Sequence, residues 1–273
     1  MDAPPTESRL AVLLFTDIVG STAIRRKLGD AAYCRLLLRH DELFEAGIAE
    51  TPGAKVIEHP GDSYFARFDA SSAAVRFALR FQSRMGLEPW GDAPLSTRVG
   101  IHVGEVLTIE QAGQERIVSS TADYAARLMS LGVGGQILLT RQAFDDVRRN
   151  VREGPQHGDR VPPLRWLAHG PYQFKGGDEP VDVFEVGIEG FSPLSPPPDG
   201  EKVKRVLRHD EGTVFSAVWS PEGRRIVTAS FDQTARVWSD ISFDADALYE
   251  YAKRIHASLT PAERVRHLGE TAK

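Results

Sequence analysis

The apolar positions of this chain change period along its length. Leu10–Phe15 is a compact apolar run of the kind a buried strand makes. Leu36, Leu37, His40, Leu43, Phe44 and Ile48 then recur at helical spacing until Thr51-Pro52-Gly53 stops them. The first unit reads as strand, short helix, long helix. Lys55–Glu58 and Tyr64–Phe68 flank the turn His59-Pro60-Gly61-Asp62-Ser63, which predicts a β-hairpin. A helix is expected over Ser71–Met85, and strands over Thr97–His102 and Glu105–Ile109. A helix over Ala122–Ser130, a strand over Gln136–Thr140 and a final strand pair over Trp166–Phe174 and Val181–Val186 follow. This mixed order predicts an α+β fold, with helices packed against a largely antiparallel sheet.

Gly190–Gly200 (GFSPLSPPPDG) is proline-rich and aperiodic. It reads as a linker, dividing the chain into a domain over 1–189, a linker over 190–202, a small segment over 203–240 and helices over 241–273. On this reading the segments beyond Gly190 are dispensable for any chemistry of the first domain. Val206–Ser239 resembles one WD repeat, with His209, Asp232 and Trp238 at the positions that family uses for its hydrogen-bonded blade core. A single blade cannot close a propeller ring, so the resemblance implies at most a small surface for a protein partner. Asp246–Ser258 and a segment opened by Thr260-Pro261-Ala262-Glu263 are expected to be helical.

Composition narrows the function classes. The chain has 273 residues, 41% hydrophobic and 26% charged, which is the profile of a folded globular protein. A formal net charge of −5 supplies no basic field to hold nucleic acid by counterion release. No apolar run reaches the ~20 residues needed to span a bilayer, and the start lacks the order of a signal peptide. The lone cysteine, Cys34, sits in a helical pattern that suggests packing. A cytoplasmic location is expected.

Two segments carry chemistry. Phe15-Thr16-Asp17-Ile18-Val19-Gly20-Ser21-Thr22 places a carboxylate where a buried strand ends, followed by a glycine and two hydroxyls opening a helix. Amides at a helix start can hold phosphate, and a carboxylate beside them can hold Mg²⁺. A second carboxylate, Asp62, sits in the hairpin turn. Taken singly, each is equally what an ordinary cap or turn residue looks like.

Together, FTDIVGST and GDSYFARF resemble the two metal motifs of class III adenylate and guanylate cyclases, in order and separation. Val99–Glu105 is similar to the family's GIHxGE strand pair, Ala125-Ala126-Arg127-Leu128 to its AARL helix, and Phe174-Lys175-Gly176 to its late lysine-glycine turn. The resemblance covers roughly residues 9–186 and implies a ferredoxin-like core that dimerises head to tail. It further implies that Asp17, Asp62 and the Ile18 carbonyl bind two Mg²⁺ or Mn²⁺ ions, with ATP or GTP as substrate. By the same resemblance, Ser21 and Thr22 hold phosphate, Arg127 of one protomer meets charge on the α-phosphoryl group of the other's substrate, and Lys175 neutralises the phosphates.

Three positions depart from the adenylate cyclase pattern. Glu58 stands where adenylate cyclases carry lysine and guanylate cyclases a glutamate; its carboxylate suits the guanine N1–H and N2–H₂ donors. Arg116 falls at the companion base-reading position, and Asp123 replaces the family's asparagine beside the ribose. Asp123 leaves a second expectation standing, a degenerate cyclase domain that binds nucleotide or a partner without turnover. A phosphate-loop ATPase is disfavoured because no GxxxxGK[ST] stretch occurs.

Overall fold

The structure is a computed structural model describing residues 6–91, 93–111, 114–155, 162–174, 179–198, 201–202, 214–219, 225–230 and 234–239. The chain forms two compact units, residues 1–204 and 205–273. The first contains the strands β1 (Thr6–Ile18), β2 (Ala54–Glu58), β3 (Tyr64–Phe68), β4 (Thr97–Gln111), β5 (Gln114–Val118), β6 (Ile137–Thr140), β7 (Leu164–Gln173), β8 (Val181–Ile188) and β9 (Glu201–Lys202). Its helices are α1 (Ser21–Leu28), α2 (Asp30–Ala49), α3 (Ser71–Leu87), α4 (Ser120–Leu131) and α5 (Arg141–Val147).

The strands make one sheet in the order β2-β3-β1-β4-β6-β8-β7-β9, with β5 paired to β4. Every pairing is antiparallel except β4 with β6. The fold is therefore α+β with a mixed, mostly antiparallel sheet, as the element pattern predicts. Two expected strands are one: β4 runs unbroken from Thr97 to Gln111, because Val103 and Gly104 stay in register with Val12 and Ala11 of β1.

Alternation along β1 sends its apolar residues to two different layers. Val12 and Leu14 face Phe44 of α2, Phe77 and Phe81 of α3 and Phe144 of α5, in the larger core. Ala11 and Leu13 face the opposite side, where they meet Phe65, Val106 and Ala125 of α4. α4 thus lies alone on the face of the sheet that carries the odd-numbered residues of β1, Asp17 among them. Cys34, expected in a packing position, is exposed on α2, whose buried face runs through Tyr33, His40, Leu43, Phe44 and Gly47 instead.

Residues 190–198 run along the first unit. Gln136 Nε2 donates to the Ser195 carbonyl at 2.7 Å and to Glu185 Oε2 at 3.1 Å, and the Leu194 amide donates to Glu185 Oε1 at 3.0 Å. His169 Nε2 lies 2.8 Å from the same carboxylate, which is fully buried. Burial of a carboxylate is tolerated only where its lone pairs are taken up, and here one partner comes from the proline-rich segment.

The second unit contains a three-stranded antiparallel sheet among its described residues, β10 (Val214–Trp219), β11 (Arg225–Ser230) and β12 (Ala235–Ser239). Trp238 Nε1 donates to Thr228 Oγ1 at 2.6 Å. His209, Asp232 and the helices expected over 241–273 lie outside the described residues.

The strap over Glu185 gives a truncation test. A chain ended after Lys204 is expected to keep the thermal stability of the first unit. One ended after Glu189 should lose about 1–3 kcal/mol, the cost of leaving a buried acceptor without its Leu194 donor. Calorimetric unfolding of the two chains compares them directly.

Candidate active site

Asp17 is the penultimate residue of β1, on the face that α4 covers. Its register partner across the sheet is Arg98 of β4. Arg98 Nη2 donates to Asp17 Oδ2 at 2.9 Å and Nε to the same oxygen at 3.3 Å, while Ser63 Oγ donates to Oδ1 at 3.0 Å. The hairpin turn that holds Asp62 is thereby tied to the end of β1. Ile18, next to Asp17, buries its side chain in the main core, so that only its backbone can serve the site.

The turn is pinned from a second direction. His59 stacks on Tyr64 at 3.7 Å between ring centroids, and its Nε2 lies 3.5 Å from Asp41 Oδ1 of α2. Tyr33, also on α2, donates its hydroxyl to Asp62 Oδ2 at 3.4 Å. Burial, and after it the nearby Asp62 charge, pushes the Tyr33 hydroxyl above its ordinary pKa, so it remains a donor at neutral pH; Ser21 is a further hydrogen-bond partner. The fold thus gathers Asp17, Asp62 and Ser21, which stand far apart in sequence, around one strand end.

Between β1 and α1 the chain must reverse sharply. Gly20 makes the reversal at φ 70°, a left-handed conformation that costs glycine nothing. It caps α1 with no side-chain acceptor, so the first amides of the helix, those of Ser21 and Thr22 included, have no side-chain cap. Thr22 is exposed and Ser21 half-buried. This is the local arrangement that receives phosphate oxygens.

α4 is held on β4 at three places. At its start, Ser119 accepts from the Thr121 amide, and Ser119 Oγ and Thr121 Oγ1 donate to the Glu105 carbonyl at 2.9 and 2.7 Å. At its middle it lies so close to Gly100 that a Cβ there would stand 2.4 Å from the Ala125 carbonyl oxygen and the Met129 nitrogen. At its last turn, Arg98 Nη1 donates to the Ser130 carbonyl at 2.9 Å. With Ala125 against the sheet, Asp123 and Arg127 project from another face of the helix, one turn apart. Asp123 is exposed, Arg127 is half-buried, and neither side chain has an ion-pair partner among the described residues.

The residues expected to read the base are not brought together within the chain. Glu58, opposite Phe65 in the register, lies at the exposed end of β2 on the α4 side. Its neighbour along that face, Lys55, joins Arg9 and Arg67 around Glu115 of β5. Burial would raise the Glu115 carboxyl, but the Lys55 hydrogen bond and the charges of Arg67 and Arg9 outweigh it and hold it below the usual range. Because successive residues of a strand alternate, Arg116 projects from the opposite side, near exposed Leu107 and Val118. Lys175 lies outside the described residues.

Arg98, Tyr33 and Ser63 are neighbours of the carboxylates that sequence reasoning passed over. Only Arg98 left a usable signal, an opposite charge directly across from Asp17 once β1 and β4 are paired.

Comparison with known proteins agrees with this geometry. The adenylate and guanylate cyclase catalytic domain matches residues 5–157, and the WD domain, G-beta repeat, matches residues 200–239. The first unit is similar in fold to an adenylate cyclase of Trypanosoma brucei in its monomeric state (TM-score 0.60, 20% identity, 71% of this chain and 95% of that one). It is similar also to the adenylyl cyclase CyaB of P. aeruginosa (TM-score 0.57, 19% identity, 67% of this chain and 95% of that one). An uncharacterised protein of Mycobacterium tuberculosis is 27% identical over 172 residues, 63% of this chain and 40% of the relative. The chain thus spans about 40% of the length of this curated relative.

The approach of α4 to the sheet yields a direct test. Gly100→Ala is expected to force backbone from backbone, where no side chain can yield, and to destabilise the first unit by about 1–3 kcal/mol or more. Thermal unfolding reads the loss, and hydrogen exchange should locate it in α4.

Proposed function

Because the chain belongs to the family of adenylate and guanylate cyclase catalytic domains, we propose that it closes a purine nucleoside triphosphate into its 3′,5′-cyclic monophosphate and releases pyrophosphate. The observation that carries this reading is the tie between Asp17 and the Asp62 turn through Ser63, beside an uncapped helix start. Two carboxylates and a main-chain oxygen make an all-oxygen donor set, which fits Mg²⁺ or Mn²⁺ completed by substrate phosphate. No cluster of three or more His, Cys, Asp or Glu side chains able to hold an ion occurs among the described residues, so substrate oxygens must complete the shell. Two such ions, when bound, supply activation of the ribose 3′-hydroxyl and neutralisation of the triphosphate.

The chain's own residues do the rest. Asp17, Asp62 and the Ile18 backbone fix the ions at the strand end. The amides of Ser21 and Thr22 and their hydroxyls orient the phosphates, with Lys175 adding positive charge. Arg127, reaching from a partner protomer in a homodimer with shared sites, stabilises charge that grows on the α-phosphoryl oxygens in the transition state. Glu58 is given the base, and its acceptor lone pairs favour guanine over adenine. Arg116 takes no part in base reading here. Asp123 sits one helical turn before Arg127, close enough to orient it or to accept from the ribose.

One observation favours a second reading. Asp17 is ion-paired to Arg98 and Asp123 stands without a cation partner, a combination that suits a domain binding nucleotide without turning it over. Among the described residues no helix is long and apolar enough to cross a membrane.

Activity separates the readings. Asp17→Ala and Asp62→Ala are each expected to abolish cyclisation while the fold is retained, with products read by mass after incubation with Mn²⁺ or Mg²⁺ and either nucleotide. Mixing Asp17→Ala with Arg127→Ala chains should restore about a quarter of wild-type activity, since half the randomly mixed dimers carry one intact site of two. Subunit exchange without recovery speaks against shared sites, and wild-type turnover by both single variants overturns the assignment.

Substrate choice follows from hydrogen-bond polarity at Glu58. Facing adenine N1, its carboxylate opposes lone pair to lone pair, which costs about 1–3 kcal/mol, whereas guanine offers two donors. The expected outcome is kcat/KM for GTP about tenfold or more above that for ATP, with partial reversal in Glu58→Lys. Equal use of both nucleotides counts against this role.

A further inference from the structure

Arg98 makes two attachments with one guanidinium. Nη2 and Nε are spent on Asp17 Oδ2, and Nη1 on the Ser130 carbonyl in the last turn of α4, three residues beyond Arg127. The pair is sheltered, with side-chain exposures of 23% for Arg98 and 20% for Asp17. The other carboxylate oxygen already accepts from Ser63. A guanidinium in this geometry occupies the lone pairs that a metal ion needs, and it brings a positive charge to where the ion's own charge must come.

We propose that Arg98 is a resident cation that holds Asp17 in the ion-free chain and couples it to α4, so that a divalent ion arriving at Asp17 displaces Arg98 and frees the last turn of α4, with Arg127 on it. The inference rests on the metal role of Asp17 argued above, and it goes beyond that role by linking ion occupancy to the helix that carries the transition-state arginine. The physical steps are few. An ion and the guanidinium cannot both take Oδ2 without opposing like charges. Once Arg98 leaves Asp17, the planar fork that presented Nη1 to Ser130 is no longer held in orientation, because its other donors have lost their acceptor. The carbonyls at a helix C-terminus have no intrahelical partners, so the last turn is the part of α4 most sensitive to that loss. In a homodimer with shared sites, loading one protomer's Asp17 changes the freedom of the arginine that serves the other site.

The test uses the full chain without nucleotide and Mn²⁺ as the probe, titrated by electron paramagnetic resonance. Arg98→Gln is expected to bind Mn²⁺ about three- to tenfold more tightly than wild type, the range for losing a sheltered ion-pair competitor. Asp17→Asn should abolish that binding in either background. Hydrogen exchange over residues 127–132 should rise on Mn²⁺ saturation in the wild type. In Arg98→Gln it should already be high without Mn²⁺. Arg98→Lys keeps the charge but cannot fork to both acceptors; it provides the same exchange readout if the glutamine variant does not fold. Unchanged or weaker Mn²⁺ binding in Arg98→Gln, with the Asp17 dependence intact, overturns the resident-cation role and leaves the metal reading standing. Unchanged exchange in α4 on Mn²⁺ saturation overturns the coupling. Absence of any Asp17-dependent Mn²⁺ signal in every variant overturns this inference together with the metal reading.

Discussion

The contact between α4 and the middle of β4 sets the geometry on which the site depends. Because position 100 has no side chain, helix backbone can approach strand backbone until only a hydrogen atom fits between them. That approach brings the start of α4 to the Glu105 carbonyl and its end to Arg98. It also buries Ala125 against Ala11, Leu13 and Phe65, which leaves Asp123 and Arg127 projecting from a different face. A bulkier residue at position 100 would shift the whole helix, and the direction in which Arg127 projects would shift with it.

The carboxylates depend on a different kind of support. Asp17 is fixed by strand pairing, whereas Asp62 sits in a turn and needs side-chain anchors. These come from Ser63 toward Asp17, from Tyr33 toward Asp62 itself, and from the stacking of His59 on Tyr64. Both carboxylates therefore belong to one hydrogen-bonded unit built from β1, the hairpin and α2. Preorganisation of this sort is what metal-assisted phosphoryl chemistry asks of a protein, since catalysis there is mostly positioning and charge.

At the far edge of the sheet, polar burial has another consequence. Glu185, His169 and Gln136 form a fully or nearly buried group whose remaining needs are met by backbone of residues 194 and 195. A segment with no hydrophobic period is thus tied to the first unit by single hydrogen bonds. The proline-rich composition that made it read as a linker suits this role equally well, because proline fixes the backbone without needing an amide partner.

The sequence by itself determined the alternation of strands and helices, the α+β class, the family and the identity of the two carboxylates, since period and local motif are properties of neighbouring residues. Leu10–Phe15 and Leu36–Ile48 announced β1 and α2 because an apolar face must repeat at the period of its element. Only the tertiary structure decided what surrounds those carboxylates. The pairing of Asp17 with Arg98 crosses 81 positions of chain, and the ties from Tyr33 and Ser63 exist only once α2 and the hairpin meet the end of β1. Likewise, the separation of Arg116 from Glu58 follows from the strand alternation of β5, an element the local pattern did not announce. Partners such as these are set by register and packing between elements, and no local period carries information about which residue will stand across from which.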